Sequence, residues 1–278
     1  MTSQPIGAPA VRGPVHVVGE VLATKRAGAY RHLTIAAPGL PERFRAGNFV
    51  AVSVGDGRLA RRPLWIHRVK ETGAYGPTLD VVVEPRGPGS TWLAELPVGA
   101  RLPVTGPLGR PFALPREPVS CVLVGEGYAA APLFPLAARL RERGCPVTLV
   151  LAADDEGHLL SALEARRSAR SVTVVTGDGS VGQKGAVADV IDEVLTRSRA
   201  EVVYAAGPTA TLAAVAAAAE RRGAWSQVAL ETPMACGTGL CQGCPVPVVA
   251  EDGVTRRVRA CVDGPVIRGD RVHWGEVG

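Results

Sequence analysis

The sequence predicts an α+β multidomain fold: an antiparallel β-barrel, then a doubly wound parallel α/β sheet, then a small cysteine-bearing unit. Three observations predict it. Short β-like runs with Gly/Pro punctuation fill the N-terminal third, apolar strand runs then alternate with helical segments, and four cysteines crowd the C-terminal end.

At 278 residues the chain has room for two or three domains, and an apolar fraction of 46% supplies a sizeable core. No apolar run approaches the ~20 residues of a membrane span, and residues 1–14 lack the hydrophobic core of a signal peptide. A soluble, cytoplasmic protein with no membrane partner is expected. The net charge of +5 comes from scattered arginines with only three lysines, Lys25, Lys70 and Lys184, and aromatic residues make up 4%. Without a basic stripe interleaved with aromatics, nucleic-acid binding is not expected; arginine suits phosphate and carboxylate, so an anionic dinucleotide is the more economical partner.

After a Pro/Gly/Ala-rich tail at 1–14, the stretch 15–113 carries candidate strands at 15–21, 30–36, 48–54, 64–69, 79–84 and 101–105. Six short strands with no long helical period predict a closed antiparallel barrel, interrupted by one short helix at 90–96. Over 114–232 the apolar runs VSCVLVG, PVTLVLAA, SVTVVTG, EVVYAAG and QVALET are separated by helical segments. That alternation predicts a parallel sheet with right-handed crossovers. Residues 233–278, with a hairpin expected from 245–249 and 256–259, are too few to bury a core and must lean on a metal cluster and a neighbouring domain.

Cys236, Cys241, Cys244 and Cys261 read C-x4-C-x2-C followed by sixteen residues and a last C. The first three have the plant-type spacing of a [2Fe-2S] cluster. Gly237, Gly239 and Gly243 let the loop wrap closely and aim amide N–H groups at sulfide. Structural zinc is the alternative, but it usually takes two C-x2-4-C pairs; disulfides need an oxidising compartment. Cys121 lies in an apolar run as a buried thiol, and Cys145 sits at a helix-to-strand turn with no visible partner.

In the barrel, Arg61-Arg62-Pro63-Leu64-Trp65-Ile66 opens a strand, and Val82-Val83-Glu84-Pro85-Arg86-Gly87-Pro88-Gly89-Ser90-Thr91 ends in a Gly-rich turn opening a helix, where free N–H groups suit a pyrophosphate. Either motif alone reads as an ordinary barrel corner. Their order with the cysteine loop resembles the electron-transfer subunit of class B dihydroorotate dehydrogenase, within the ferredoxin–NADP reductase-like group, from about residue 15 to the C-terminus. The resemblance is carried by Arg62-Pro63-Leu64, Gly87-Pro88-Gly89-Ser90-Thr91, Gly106-Pro107-Leu108-Gly109, Thr176-Gly177-Asp178-Gly179-Ser180, Ala206-Gly207-Pro208-Thr209 and, most specifically, Met234-Ala235-Cys236-Gly237 with Cys261-Val262-Asp263-Gly264-Pro265-Val266.

The resemblance implies an FAD-binding barrel over 15–113, an NAD-binding α/β domain over 114–232 and a [2Fe-2S] domain over 233–278. Flavin contacts would fall on Arg62, Pro63, Leu64, Trp65, Val82, Val83, Glu84, Gly89 and Ser90, with Arg62 on the FAD phosphate. NAD(H) would meet Gly125, Gly127, Gly207 and Pro208. Cys236, Cys241, Cys244 and Cys261 would ligate iron. The implied partner is an FMN-containing dihydroorotate dehydrogenase catalytic subunit in a heterotetramer of pyrimidine biosynthesis, with electrons flowing from dihydroorotate towards NAD. Two further readings stand beside it: a reductase subunit serving another flavoenzyme of a specialised pathway, and a redox sensor or docking module without nicotinamide turnover.

Two departures from the family pattern motivate those readings. Trp65 stands where the family has Ser or Thr, so an indole either stacks on or shields the flavin, or points into the barrel core. In Gly125-Glu126-Gly127-Tyr128-Ala129-Ala130-Ala131-Pro132, Glu126 and Ala129 replace glycines, placing a carboxylate and an added Cβ beside the pyrophosphate position. The histidines, His16, His32, His67, His158 and His273, show no ligand spacing and read as surface or structural. The Ala-rich helix at 209–222 reads as sheet cover, and Asp154, Asp155 and Glu156 as a solvated turn where a ribose-binding acid also fits.

Overall fold

The computed structural model describes residues 13–55 and 60–277. The expected tail therefore lies, through residue 12, outside the described residues. The barrel closes from β1 (Val15–Ala27), β2 (Tyr30–Ala36), β3 (Phe49–Val52), β4 (Arg62–Lys70), β5 (Thr78–Val83) and β6 (Arg101–Leu108), in the order β1-β2-β5-β4-β3-β6, with helix α1 (Pro88–Ala94) after β5. β1 runs past its expected end because Lys25 and Arg26, too polar to signal a strand, pair with His32 and Arg31 in a long hairpin. Strand alternation sends Leu33, Ile35, Val81 and Leu102 into the barrel interior, all essentially inaccessible.

The second unit runs β7 (Cys121–Glu126), α2 (Leu133–Glu142), β8 (Val147–Ala153), α3 (Ala162–Ser168), β9 (Ser171–Thr176), β10 (Gln183–Lys184), α4 (Val187–Ser198), β11 (Val202–Ala206), α5 (Thr209–Arg221) and β12 (Trp225–Ala229). The parallel order β10-β9-β8-β7-β11-β12 puts β7 between β8 and β11. The order reverses at β7, so a crevice opens at the carboxyl ends of β7 and β11.

The C-terminal unit holds the hairpin β13 (Pro245–Val249) and β14 (Thr255–Arg259), a single-turn helix α6 (Ala260–Asp263) and β15 (Val266–Arg268). β15 extends the large sheet, pairing antiparallel with β12 at Ala229 and Val266, and three residues are too short to signal a strand in sequence. Lacking a core of its own, the unit joins a neighbour's: Cys244, Val246, Cys261 and Val266 share one buried cluster with Phe49 and Trp65 of the barrel and Val228 of the sheet. No helix among the described residues is long and apolar enough to cross a membrane.

A polar seam fixes the barrel against α2 and α3. His67 of β4 is 1% exposed, stands edge-on to Phe134 with ring centroids 4.9 Å apart, and places Nε2 3.4 Å from the Glu164 carboxylate. Arg68 forks onto the same carboxylate, donating Nε–H at 2.9 Å. Burial pushes Glu164 up, but hydrogen bonds from His67 and Arg68 outweigh it and hold the group at about 2. His32 meets His67 edge-on at 5.6 Å, and burial, reinforced by His67, pushes it down to about 4. The histidines are structural here, though two of them do come together.

Because His32 titrates at about 4 in the fold and near 6.5 when unfolded, the unfolded chain binds more protons between those values. Stability is expected to fall as pH drops from 6.5 towards 4 and to gain nothing from this group below 4. Thermal unfolding of the parent and of His32→Gln across that window checks it: the variant should lose part of the slope, and an unchanged slope would remove His32 from the account.

Candidate functional site

Arg62 begins β4 and reaches the turn before α1. Its Nη1–H donates to the Ala60 carbonyl at 3.0 Å, and it has no carboxylate partner among the described residues. A Cβ on Gly89 would lie 2.5 Å from Arg62 Nε, so only glycine lets the guanidinium rest on this turn. Ser90 ties the turn together: its Oγ accepts N–H bonds from Arg86 at 2.9 Å and Gly87 at 3.1 Å. An unpaired guanidinium beside a bare backbone fits a phosphate group.

Beyond Arg62, Pro63, Leu64 and Trp65 wall a cleft of about 270 Å³ between the barrel, the loop after β7 and the segment after β12. Trp65 is 7% exposed and its Nε1–H donates to Glu231 Oε1 at 2.9 Å. The indole therefore lines the cleft instead of pointing into the barrel interior. Tyr128 donates its hydroxyl to the other oxygen of the same carboxyl. Burial raises the Glu231 carboxyl above the usual carboxylate range, although both hydrogen bonds pull the other way.

A second cleft, of about 400 Å³, opens at the sheet's switch point and shares Tyr128 and Glu231 with the first. Gly127, Gly207 and Pro208 line it; Gly125 does not, lying beneath, where a Cβ would come within 2.5 Å of Ala130 Cβ. Gly125 serves the close packing of the loop on β7, not the cleft. Glu84, Glu126 and Asp154 also face this space. Arg86 is bound to Glu84 at 2.7 Å and lies 4.7 Å above the Tyr128 ring. Asp155 is turned away, accepting N–H from His158.

The cysteine loop packs against the barrel. Gly237, with φ of +70°, would bring a Cβ to 3.1 Å from Ala51 and 3.6 Å from Phe49, which also lines the first cleft. The left-handed turns at Gly237 and Gly239 bend amides inward: Thr238 N–H and Gly243 N–H each point to a sulfur at 3.4 Å, those of Cys236 and Cys241. Burial pushes the Cys236 thiol up, but hydrogen bonds from Cys241 and Thr238 bring it below its ordinary value, as an anionic sulfur site requires. Cys244 and Cys261 are buried with sulfurs 3.3 Å apart. Among the described residues no group of three or more His, Cys, Asp or Glu is placed to hold a single metal ion. The four thiols, two of them facing amides and two paired in the interior, are chemically a donor set that fits a [2Fe-2S] cluster.

The structure thus gathers Arg62, Pro63, Leu64, Trp65, Gly89 and Ser90 along one side of the barrel. Val82 and Val83, expected as flavin contacts, are 2% and 1% exposed, paired with β2 and on the lining of neither cleft, whereas Glu84 faces the second cleft. Tyr128, Thr211 and Glu231 went unread in the sequence. The one signal for Glu231 was an acid closing a buried parallel strand, QVALE, at the carboxyl end where ligands bind in such sheets. Cys145, expected without a partner, lies beside Cys121, whose thiol burial and that neighbour push up to about 12.

Residues 231–273 match the iron-sulfur cluster binding domain of dihydroorotate dehydrogenase B. The dihydroorotate dehydrogenase B (NAD(+)) electron transfer subunit of Desulforamulus reducens is 31% identical over 245 residues, 87% of this chain and 92% of that protein. Its counterpart in Geobacillus thermodenitrificans is 33% identical over 246 residues, 86% of this chain and 91% of that protein. A solved NADH-dependent reduced ferredoxin-NADP oxidoreductase, described for flavin-based electron bifurcation, superimposes with a TM-score of 0.82 at 31% identity, covering 94% of this chain and 91% of its own.

Glu231→Ala leaves the Trp65 N–H and the Tyr128 hydroxyl without their acceptor and is expected to cost about 2–4 kcal/mol in urea unfolding. Glu231→Gln, which keeps an acceptor in place, should cost under about 1 kcal/mol. Equal losses would show that one acceptor oxygen does not suffice and that both oxygens of the carboxyl are needed.

Proposed function

The chain belongs to the family of dihydroorotate dehydrogenase B electron transfer subunits, and from that premise we propose that it is the flavin and iron–sulfur arm of a two-component oxidoreductase. It shuttles electrons between NAD(H), FAD, a [2Fe-2S] cluster and an FMN-containing partner. The observation that carries this reading is contiguity. The nucleotide cleft and the barrel cleft meet at Tyr128 and Glu231, and the barrel cleft meets the cysteine loop at Phe49.

FAD turns a two-electron hydride into single electrons, which a [2Fe-2S] cluster carries one at a time. The chain's own groups hold, orient and shield. Arg62, beside Gly89, would hold a phosphate of the flavin by charge-assisted hydrogen bonds, and Ser90 fixes the turn there. Pro63, Leu64 and Trp65 wall the ring site, with Trp65 tethered by Glu231, while Val82 and Val83 pack in the core behind it and Glu84 holds Arg86. Tyr128 and Glu231 stand where nicotinamide and flavin would approach, Glu231 holding a proton more readily than an exposed carboxyl does. Gly127, Gly207 and Pro208 border the dinucleotide, with Gly125 supporting the loop. Cys236, Cys241, Cys244 and Cys261 ligate the irons.

The partner is an FMN-containing catalytic subunit such as dihydroorotate dehydrogenase, in a hetero-oligomer serving pyrimidine biosynthesis. Leu240 and Val262, 86% and 39% exposed beside Cys241 and Cys261, give that subunit an apolar rim to dock on. A different flavoenzyme partner is the second reading, favoured by one observation: the chain is 31% identical, over 94% of its length, to part of an enzyme with another named activity.

Anaerobic mixing of FAD-loaded protein with NADH is expected to bleach the flavin band, and a flat trace would remove the reductase reading. Arg62→Ala should weaken FAD retention at least tenfold in equilibrium dialysis, about 1.4 kcal/mol or more, with the fold intact by circular dichroism. Cys241→Ser should keep FAD yet lose the iron–sulfur visible bands and electron delivery to a co-purified partner; retained delivery would contradict the assigned path. Dihydroorotate added to that complex should reduce it if the partner is dihydroorotate dehydrogenase.

A further inference from the structure

The nucleotide cleft is charged against its own proposed ligand. Four carboxyl side chains line it, those of Glu84, Glu126, Asp154 and Glu231. Against them stands one arginine, Arg86, already committed to Glu84 at 2.7 Å and to the Tyr128 ring. His158, the other basic side chain on the lining, is engaged by Asp155 at 2.9 Å. A dinucleotide brings two phosphate charges into this space, and among the described residues no cation of the lining is left to meet them.

Glu126 is the critical group because of where it sits. It closes β7, and its Cβ lies 3.1 Å from the position a Cβ on Gly207 would take, so its side chain runs beside the backbone that leads into α5. Its carboxylate accepts a hydrogen bond from the Thr211 hydroxyl in the first turn of α5. That helix, thirteen residues long, has no acid of its own in the first turn and no side-chain cap. Its positive end would otherwise be met by the ligand's phosphate, with Gly207 left bare for close backbone approach.

We propose that Glu126 is an internal competitor for the dinucleotide diphosphate, a specificity-determining carboxylate that holds the phosphate seat at α5 and sets nicotinamide affinity low. The inference rests on the reading of this cleft as the nicotinamide site. The ligand must either displace the Glu126–Thr211 contact or bind with its diphosphate beside a carboxylate. Either route lowers affinity without touching the flavin or cysteine sites, so electron entry from nicotinamide is throttled while exchange with the partner is not.

Isothermal titration of the FAD-loaded protein with NAD+, which reads binding without turnover, tests this in three variants. Glu126→Gln removes the charge and keeps the Thr211 contact; it is expected to bind NAD+ about tenfold more tightly than the parent, roughly 1.4 kcal/mol. Glu126→Gly, which frees the space as well, should bind at least as tightly as Glu126→Gln. Gly207→Val fills the cleft and should abolish binding. If Gly207→Val abolishes binding but Glu126→Gln binds within twofold of the parent, or more weakly, the inference is overturned and the reading of the cleft survives. Parent-like binding by Gly207→Val overturns both.

Discussion

One carboxyl, shared by two donors, ties the barrel to the large sheet. Glu231 lies at the end of the large sheet, at the point where the chain leaves for the cysteine loop, and it accepts from Trp65 of the barrel and Tyr128 of the loop after β7. A buried polar group without partners would cost several kcal/mol, so each donor is confined to one position by the other's bond to the same group. The two clefts share this residue as a wall. Their juxtaposition is therefore held by these hydrogen bonds together with the seam at Glu164 and the shared core.

Around that point the C-terminal unit borrows what it cannot make. Its few apolar side chains join the larger core, and β15 completes the sheet edge beyond β12. Further ties run to the barrel: Arg61 N–H donates to the Ala235 carbonyl at 3.2 Å, and Arg110 N–H donates to the Gly264 carbonyl at 2.5 Å. A loop held on two sides positions its sulfurs with little freedom, which suits a site whose task is to carry charge without rearranging.

Electrostatics divides the surface of this path unevenly. At the barrel turn Arg62 waits beside bare backbone, at the cysteine loop amides point inward to sulfur, and at the switch-point cleft carboxyls prevail. Anion-binding devices are thus strong where a resident group would stay and weak where a dinucleotide would come and go. Glu126 supplies one of the four carboxyls at that third place, beside Glu84, Asp154 and Glu231.

Much of this was legible in the chain itself. Two-residue alternation gave the barrel strands and helical periodicity between apolar runs gave the parallel sheet, because each is a local pattern that backbone geometry imposes. Trp65 and Glu126 were visible as departures but not as contacts. Their partners lie far away in sequence, 166 residues for Trp65 with Glu231 and 85 for Glu126 with Thr211, and the Tyr128–Glu231 bond spans 103. Composition and periodicity carry no information about which distant polar groups will share a buried space. The sequence determined the elements; only tertiary structure decided that Trp65 faces the cleft, that Glu231 joins two sites and that Glu126 turns to α5, because those choices are made by contacts between residues far apart in the chain.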